Sequence, residues 1–240
     1  MLINNEINKD QLPNDMKQTS FPPFGRVRVG FKVVSNMHST ILAGGDFPTH
    51  SIPLEALRNP DFLCCCDGAA QSAIANGLHP DAIIGDGDSL LPELKEKYKD
   101  IFHQVSEQED NDLTKATRFC ISHGFTDITY IAATGKREDH TLGNIFLLPR
   151  YLCDFGIRPL MLTDYGSFRP ASGTHTFSSF PRQQVSIFNI SCSEIRSEGL
   201  RWDSYSYSQL WQGTLNEATG NEFTLHADGT YIVFQTYEAK

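Results

Sequence analysis

Up to about Pro23 the chain is polar and rich in Asn, and it is expected to form a loose arm. Arg26 to Val34 (RVRVGFKVV) then alternates polar and apolar side chains. That is the period of a strand with one wet face, and it predicts an extra edge strand. From Thr40 onward the apolar runs lose this alternation. Thr40–Ala43, Phe62–Cys66, Ala82–Ile84, Ile101–Val105, Ile128–Ala133 and Pro159–Leu162 are short and nearly continuous, as strands buried on both faces of a parallel sheet read. Segments with helical spacing lie between them: Leu54–Leu57, Ala69–Ala75, Pro92–Tyr98, Leu113–Ile121 and Thr141–Leu148. Gly77 and Pro80 stop the second of these, and His123-Gly124 the fourth. Strands alternating with helices predict an α/β fold with a mostly parallel sheet.

After Tyr165 the helical period disappears. Runs such as HTFSSF, QVSIFNI, NEFTLHA and TYIVFQTYE follow one another across Gly, Ser and Asn, the pattern of an antiparallel β-sandwich or barrel. A domain boundary is expected near residues 165–175. Trp211 reads as a core residue of this region, whereas Trp202, flanked by Arg201 and Asp203, reads as partly exposed.

Composition narrows the function. A net charge of −9 over 240 residues argues against a broad basic surface for nucleic acid. It also means that any phosphate ligand needs local cations or a metal to offset the overall field. No apolar run reaches the ~18 residues that span a bilayer, and the polar N-terminus has no signal-peptide core. The six cysteines, three of them consecutive, show neither metal nor disulfide spacing, so reduced thiols and a cytoplasmic protein without a membrane partner are expected.

Acidic residues recur where strands end. Asp67 follows the Cys64–Cys66 strand, and Gly85-Asp86-Gly87-Asp88-Ser89 follows the next. In an open parallel sheet, ligands sit beyond these carboxyl ends. Asp86 and Asp88, at i and i+2, suit one hard cation such as Mg²⁺; alternatively, Asp86 makes a local turn hydrogen bond and Asp88 caps the next segment. Glu109, Asp110 and Asp112 precede or open a helix, with Lys115 one turn in. The loop Thr134–His140 adds Lys136, Arg137, Glu138, Asp139 and His140 at another strand-to-helix junction. Arg137 is suited to phosphate oxygens, and Asp139 either joins the site or caps the helix. Gly44-Gly45 forms a further glycine-rich turn after the Thr40–Ala43 strand.

In order and spacing these motifs resemble the thiamin pyrophosphokinase family from about Ile41 to Phe234. The marks are DGAA at Asp67–Ala70, PDAIIGDGDS at Pro80–Ser89, NDLTKA at Asn111–Ala116, TGKREDHTLGNI at Thr134–Ile145 and GLRW at Gly199–Trp202. The resemblance implies a Rossmann-like α/β catalytic domain over 24–168 that binds nucleotide and a β-sandwich over 169–240 that binds thiamin. It implies transfer of diphosphate from ATP to thiamin with Mg²⁺, giving AMP, by a homodimer with active sites at the subunit interface. Asp67, Asp86, Asp88, Asp112, Lys115 and Arg137 would be catalytic. ATP would lie on Gly44, Gly68, Ser89, Thr114, Lys115, Gly135, Arg137, Asp139 and His140. Asp86, Asp88, Glu109 and Asp112 would hold metal, and Trp202 and Asn216 would line the thiamin pocket. The chain departs from the family pattern at Gly87, usually a bulky apolar residue, at Glu109, usually Asp, and at Leu215, usually Ser.

The chemistry agrees with this list. Moving a diphosphate to an alcohol requires neutralised phosphate charge and an in-line hydroxyl. Carboxylates holding Mg²⁺, with Lys115 and Arg137 beside them, supply the first. A pterin-like alcohol is an alternative acceptor, and a silent nucleotide sensor is an alternative role, against which the retained acids at 67, 86, 88 and 112 argue.

Overall fold

The computed structural model describes residues 37–240, so the polar arm and the expected strand Arg26–Val34 lie outside the described residues. The parallel half is built from β1 (His38–Leu42), β2 (Leu63–Cys66), β3 (Ala82–Gly85), β4 (Phe102–Gln104), β5 (Asp127–Ile131) and β6 (Arg158–Leu162). They pair in parallel in the order β6-β5-β1-β2-β3-β4. The chain therefore works outward from β1 in one direction, then returns to its other side with β5. A reversal of this kind opens a crevice at the carboxyl ends of the two diverging strands.

Burial on both faces explains the unbroken apolar runs. Every residue of β2 and β3 is buried, and Cys64–Cys66 behave as small hydrophobes. Removal from water pushes all three thiols up, Cys65 to about 12. The helices between the strands are α1 (Ser51–Arg58), α2 (Asp67–Ala75), α3 (Pro92–Lys97), α4 (Asp112–Ser122) and α5 (Glu138–Cys153). Asn111 caps α4, its side-chain oxygen accepting from Thr114 N at 3.0 Å and Thr114 Oγ1 at 2.9 Å. Helix α5 is about twice as long as its apolar spacing predicted and continues through Pro149. Leu148, Pro149 and Tyr151 are buried along it, so packing outweighs the hydrogen bond that the proline removes.

Beyond β6 the same sheet continues in antiparallel fashion. β7 (Gly166–Ser172) turns back on β6, and β13 (Thr230–Ala239), β9 (Gln183–Asn189) and β11 (Asn216–Glu217) extend it to ten strands among the described residues. β8 (His175–Ser178), β12 (Glu222–Ala227) and β10 (Ile195–Glu198) form a second, three-stranded antiparallel sheet. Phe177, Val185, Ile187, Phe223, Leu225 and Tyr231 join the two sheets in one apolar cluster, the interior of a sandwich. The α/β-plus-sandwich architecture is as expected. The division placed between residues 168 and 169 falls inside β7, because the sandwich shares its larger sheet with the α/β half. Trp211 is not core: it is 71% exposed, on a segment from 201 to 215 without helix or strand.

Candidate active site

A cavity of about 820 Å³ lies where β1, β2, β3 and β5 end. Its chemistry is concentrated in a few side chains: the acids Asp67, Asp86, Glu109, Asp110 and Asp112, the cations Lys115, Lys136 and Arg137, and the imidazole of His140. Gly44, Gly68, Ser89 and Gly135 also line it.

Asp67 is the anchor. Only 2% exposed, it starts α2, and its two oxygens accept Gly68 N at 2.6 Å and Gly87 N at 2.9 Å. Burial and the nearby Asp112 carboxylate raise its pKa, with these backbone bonds opposing the rise. The following turn is cut to fit it. A Cβ on Gly85 would stand 2.5 Å from Asp67 Cγ, so the strand must end in glycine for the carboxylate to pack there. Gly87 takes φ of 86°, a left-handed backbone that excludes the bulky residue usual at this position. The turn thereby places Asp86 at the cavity wall. Asp86 makes the local turn bond, accepting Asp88 N at 3.0 Å, with Gln108 Nε2 at 3.5 Å; these hold its carboxyl below the usual carboxylate range.

Helix α4 brings Asp112 and Lys115 in together. Lys115 Nζ lies 3.4 Å from Asp112 Oδ1, with the lysine side chain 4% exposed and the aspartate 45%. Asp110, also on the cavity lining, takes Arg118 at 2.6 Å and Arg150 at 2.9 Å, tying the start of α4 to α5. On the far side, the loop after β5 holds Ala132 and Lys136 at φ of 54° and 56°. Lys136 Nζ donates to Gly44 O at 2.7 Å, closing this loop onto the one after β1. Arg137 is exposed and paired with Asp139 at 3.1 and 2.5 Å, which lowers the Asp139 pKa.

A smaller pocket of about 220 Å³ lies in the sandwich half, lined by Trp202, Asp203, Tyr205, Tyr207, Leu215 and Asn216, with Gln212 to Thr214 completing the wall. It shares no lining residue with the large cavity. Asn216 is buried and clasps the Trp202 backbone, accepting Trp202 N at 3.2 Å and donating to Trp202 O at 2.7 Å. The indole itself is 53% exposed, with the Arg201 guanidinium 5.0 Å from its ring centre.

Two family models match the two halves: "Thiamin pyrophosphokinase, catalytic domain" over residues 54–157 and "Thiamin pyrophosphokinase, substrate-binding domain" over residues 166–234. The chain belongs to the thiamin pyrophosphokinase family. The catalytic-domain match contains the large cavity except its Ala43–Gly45 edge, and the substrate-binding match contains the whole Trp202 pocket. Thiamine pyrophosphokinase 1 of Oryza sativa subsp. japonica is 30% identical over 154 residues, a match that spans 57% of this chain and 57% of that protein. Among solved structures, thiamine pyrophosphokinase from Bacillus subtilis has a TM-score of 0.70 at 18% identity, covering 83% of this chain and 98% of that one. The Candida albicans enzyme has a TM-score of 0.66 at 17% identity, covering 88% and 96%. These likenesses show the shared fold.

Within this thiamin pyrophosphokinase fold, some expected residues lie elsewhere. Asp88 is exposed and does not line the cavity, because the turn directs Asp86 inward and uses the Asp88 N–H to hold it. Thr114 is fully buried, its hydroxyl shared between Asn111 and Tyr151, and it does not line the cavity. Asp139 sits within the first turn of α5 and pairs with Arg137 instead of capping; Arg137 is the cap residue. Among the described residues, no three His, Cys, Asp or Glu side chains come together as a metal-holding group. Sequence reasoning missed Gln108 and Asn144 as cavity residues. Asn144 bonds both Asn111 and Ala133 O, joining α4, α5 and the end of β5. Nothing local in a helical sequence marks such a role.

Proposed function

We propose that this chain transfers the diphosphate of ATP to the hydroxyl of thiamin, giving AMP and thiamin diphosphate. The observation that carries the reading is the single cavity that gathers Asp86, Glu109, Asp112, Lys115, Arg137 and His140 at the strand ends. Family membership supplies the acceptor.

In this reading the polyphosphate lies along Gly44, Gly68, Ser89 and Gly135, where glycine lets backbone approach closely. Lys115 and Arg137 offset its charge. Asp67 holds the turn that presents Asp86. The thiamin hydroxyl oxygen bonds to the β-phosphorus and gives up its proton to solvent, the bridge to the α-phosphate breaks, and AMP leaves with the bridging oxygen. The residues fit Mg²⁺: Asp86, Glu109 and Asp112 offer oxygen donors, and an ion that keeps several waters and binds phosphate needs only one or two carboxylates. Bound there, Mg²⁺ would neutralise phosphate charge.

The acceptor is assigned to Trp202, whose exposed face suits a cationic aromatic ring, with Asn216 as a positioning residue. The separation of this pocket from the cavity supports a homodimer in which one copy's pocket faces the other's cavity. A reducing cytoplasm suits the six free thiols. No helix among the described residues is long and apolar enough to cross a membrane.

Purified protein with ATP, Mg²⁺ and thiamin is expected to form AMP and thiamin diphosphate in equal amounts. Formation of ADP, or turnover with a pterin alcohol but not thiamin, would overturn the assignment. Asp86→Asn is expected to cost more activity than Asp88→Asn, and the reverse order would return Asp88 to the site.

A further inference from the structure

The ten-stranded sheet contains a wedge. β6 and β7 pair only at Met161–Phe168 and Leu162–Ser167. Continued in register, the ladder would next oppose Leu160 to Arg169 and then Pro159 to Pro170. Neither proline has an N–H to donate, so the antiparallel ladder stops and the strands part. A cleft of about 860 Å³ opens between them, on residues remote from the catalytic cavity and sharing none of its lining.

The cleft has an apolar lining and a cationic rim. Ile128, Leu152, Pro159, Leu160, Pro170 and Ala171 supply the apolar surface. At the rim, Arg158 is matched by Asp127, bonded through two nitrogens at 2.5 Å each. Arg169 has no carboxylate partner among the described residues. His175 stands close enough that Arg169 adds to the lowering of its pKa that burial begins. Ser172, three positions along β7 from Arg169 and so on its other face, accepts Thr230 Oγ1 at 3.4 Å. Two nitrogen-bearing side chains, one of them a guanidinium without a carboxylate partner among the described residues, thus border an apolar recess in a chain of net charge −9.

We propose that this cleft is a second ligand site, for a small soluble organic phosphate whose ring lies on the apolar lining and whose phosphate meets Arg169 and His175. A guanidinium fork can bond two phosphate oxygens at once, and an imidazole N–H can bond a third. The volume is that of a small-molecule pocket.

Calorimetric titration of the full chain with 1-naphthyl phosphate tests this, with inorganic phosphate and 1-naphthol as separate arms. The ester is expected to bind at one site at least tenfold more tightly than either fragment. Arg169→Ala should weaken it at least tenfold, Arg169→Lys should restore part of the loss, and Arg137→Ala should leave it unchanged. Absence of saturable binding, or naphthol binding as tightly as the ester, would overturn the proposal. So would a loss of binding caused by Arg137→Ala but not by Arg169→Ala, which would place the ligand in the catalytic cavity.

Discussion

In the large cavity the side chains that matter hang from strand ends and helix starts that are themselves core. Around Trp202 they stand on an irregular segment held by one buried amide. Asp67 and Lys115 are nearly inaccessible, yet each presents charge to the cavity. Trp202, Tyr205 and Leu215 are more than half exposed. Charge chemistry needs rigid, desolvated groups, whose fields are strong and cost no reorganisation. Stacking an aromatic ligand needs only an accessible flat face, so a surface segment suffices. Changes in the cavity should therefore disturb stability and turnover together, whereas changes at the pocket should disturb binding of the acceptor alone.

Asp112→Asn gives the largest expected effect, a fall of about 10²–10³ in turnover, as for loss of one electrostatic group in other active sites. Steady-state AMP release measures it, and a fall below tenfold would remove Asp112 from the reacting region. Next is Gly85→Ala, whose methyl meets the Asp67 carboxyl at 2.5 Å. It should cost about 1–3 kcal/mol in urea unfolding, the usual range for overpacking, and should lower activity as well. Unchanged stability with lost activity would separate the two properties that the cavity is argued to couple.

Trp202→Ala should weaken thiamin binding by about 0.5–2 kcal/mol, the range of a cation–π contact, while leaving ATP affinity and the unfolding midpoint in place. A matching loss of ATP affinity would mean that pocket and cavity are not independent. The smallest effect concerns Asp67, whose pKa is raised in the folded state. The folded protein then holds this proton more tightly than the unfolded chain. Its contribution to stability is full below the ordinary carboxylate pKa and is lost as pH rises through the raised value. Unfolding free energies measured across acid pH should show that decline in the wild type and not in Asp67→Asn. Parallel curves would assign the anchoring to another group.

Much of the cavity was legible because its residues sit at strand ends, and strand ends can be read from where apolar runs stop. Asp67, Asp86 and Gly135 all follow from that rule. Asp88 did not, because a positive φ at Gly87 decides which carboxylate of an i, i+2 pair faces inward, and backbone handedness is invisible in residue type alone. Thr114 lies off the cavity wall for a related reason: one residue along a helix turns a side chain about 100° away, here toward Tyr151. Trp211 was misplaced because apolarity predicts burial only where another element covers the side chain, and on the segment 201–215 the sandwich covers Tyr207 and leaves Trp211 exposed. The continuity of the sheet across β6 and β7 depends on a tertiary pairing that leaves no periodic trace.

The consecutive cysteines of β2 bear on how this protein can be labelled in the laboratory. Cys64, Cys65, Cys66 and Cys120 are buried, and Cys192 is half-buried with a raised pKa. Cys153, at the end of α5, is exposed. A maleimide dye added to the native chain should therefore attach first at Cys153, and removing that thiol should leave a folded protein almost silent to the reagent. Because Cys153 borders the wedge between β6 and β7, the natural sequence already carries a fluorescent attachment point where an occupant of the wedge would alter the signal.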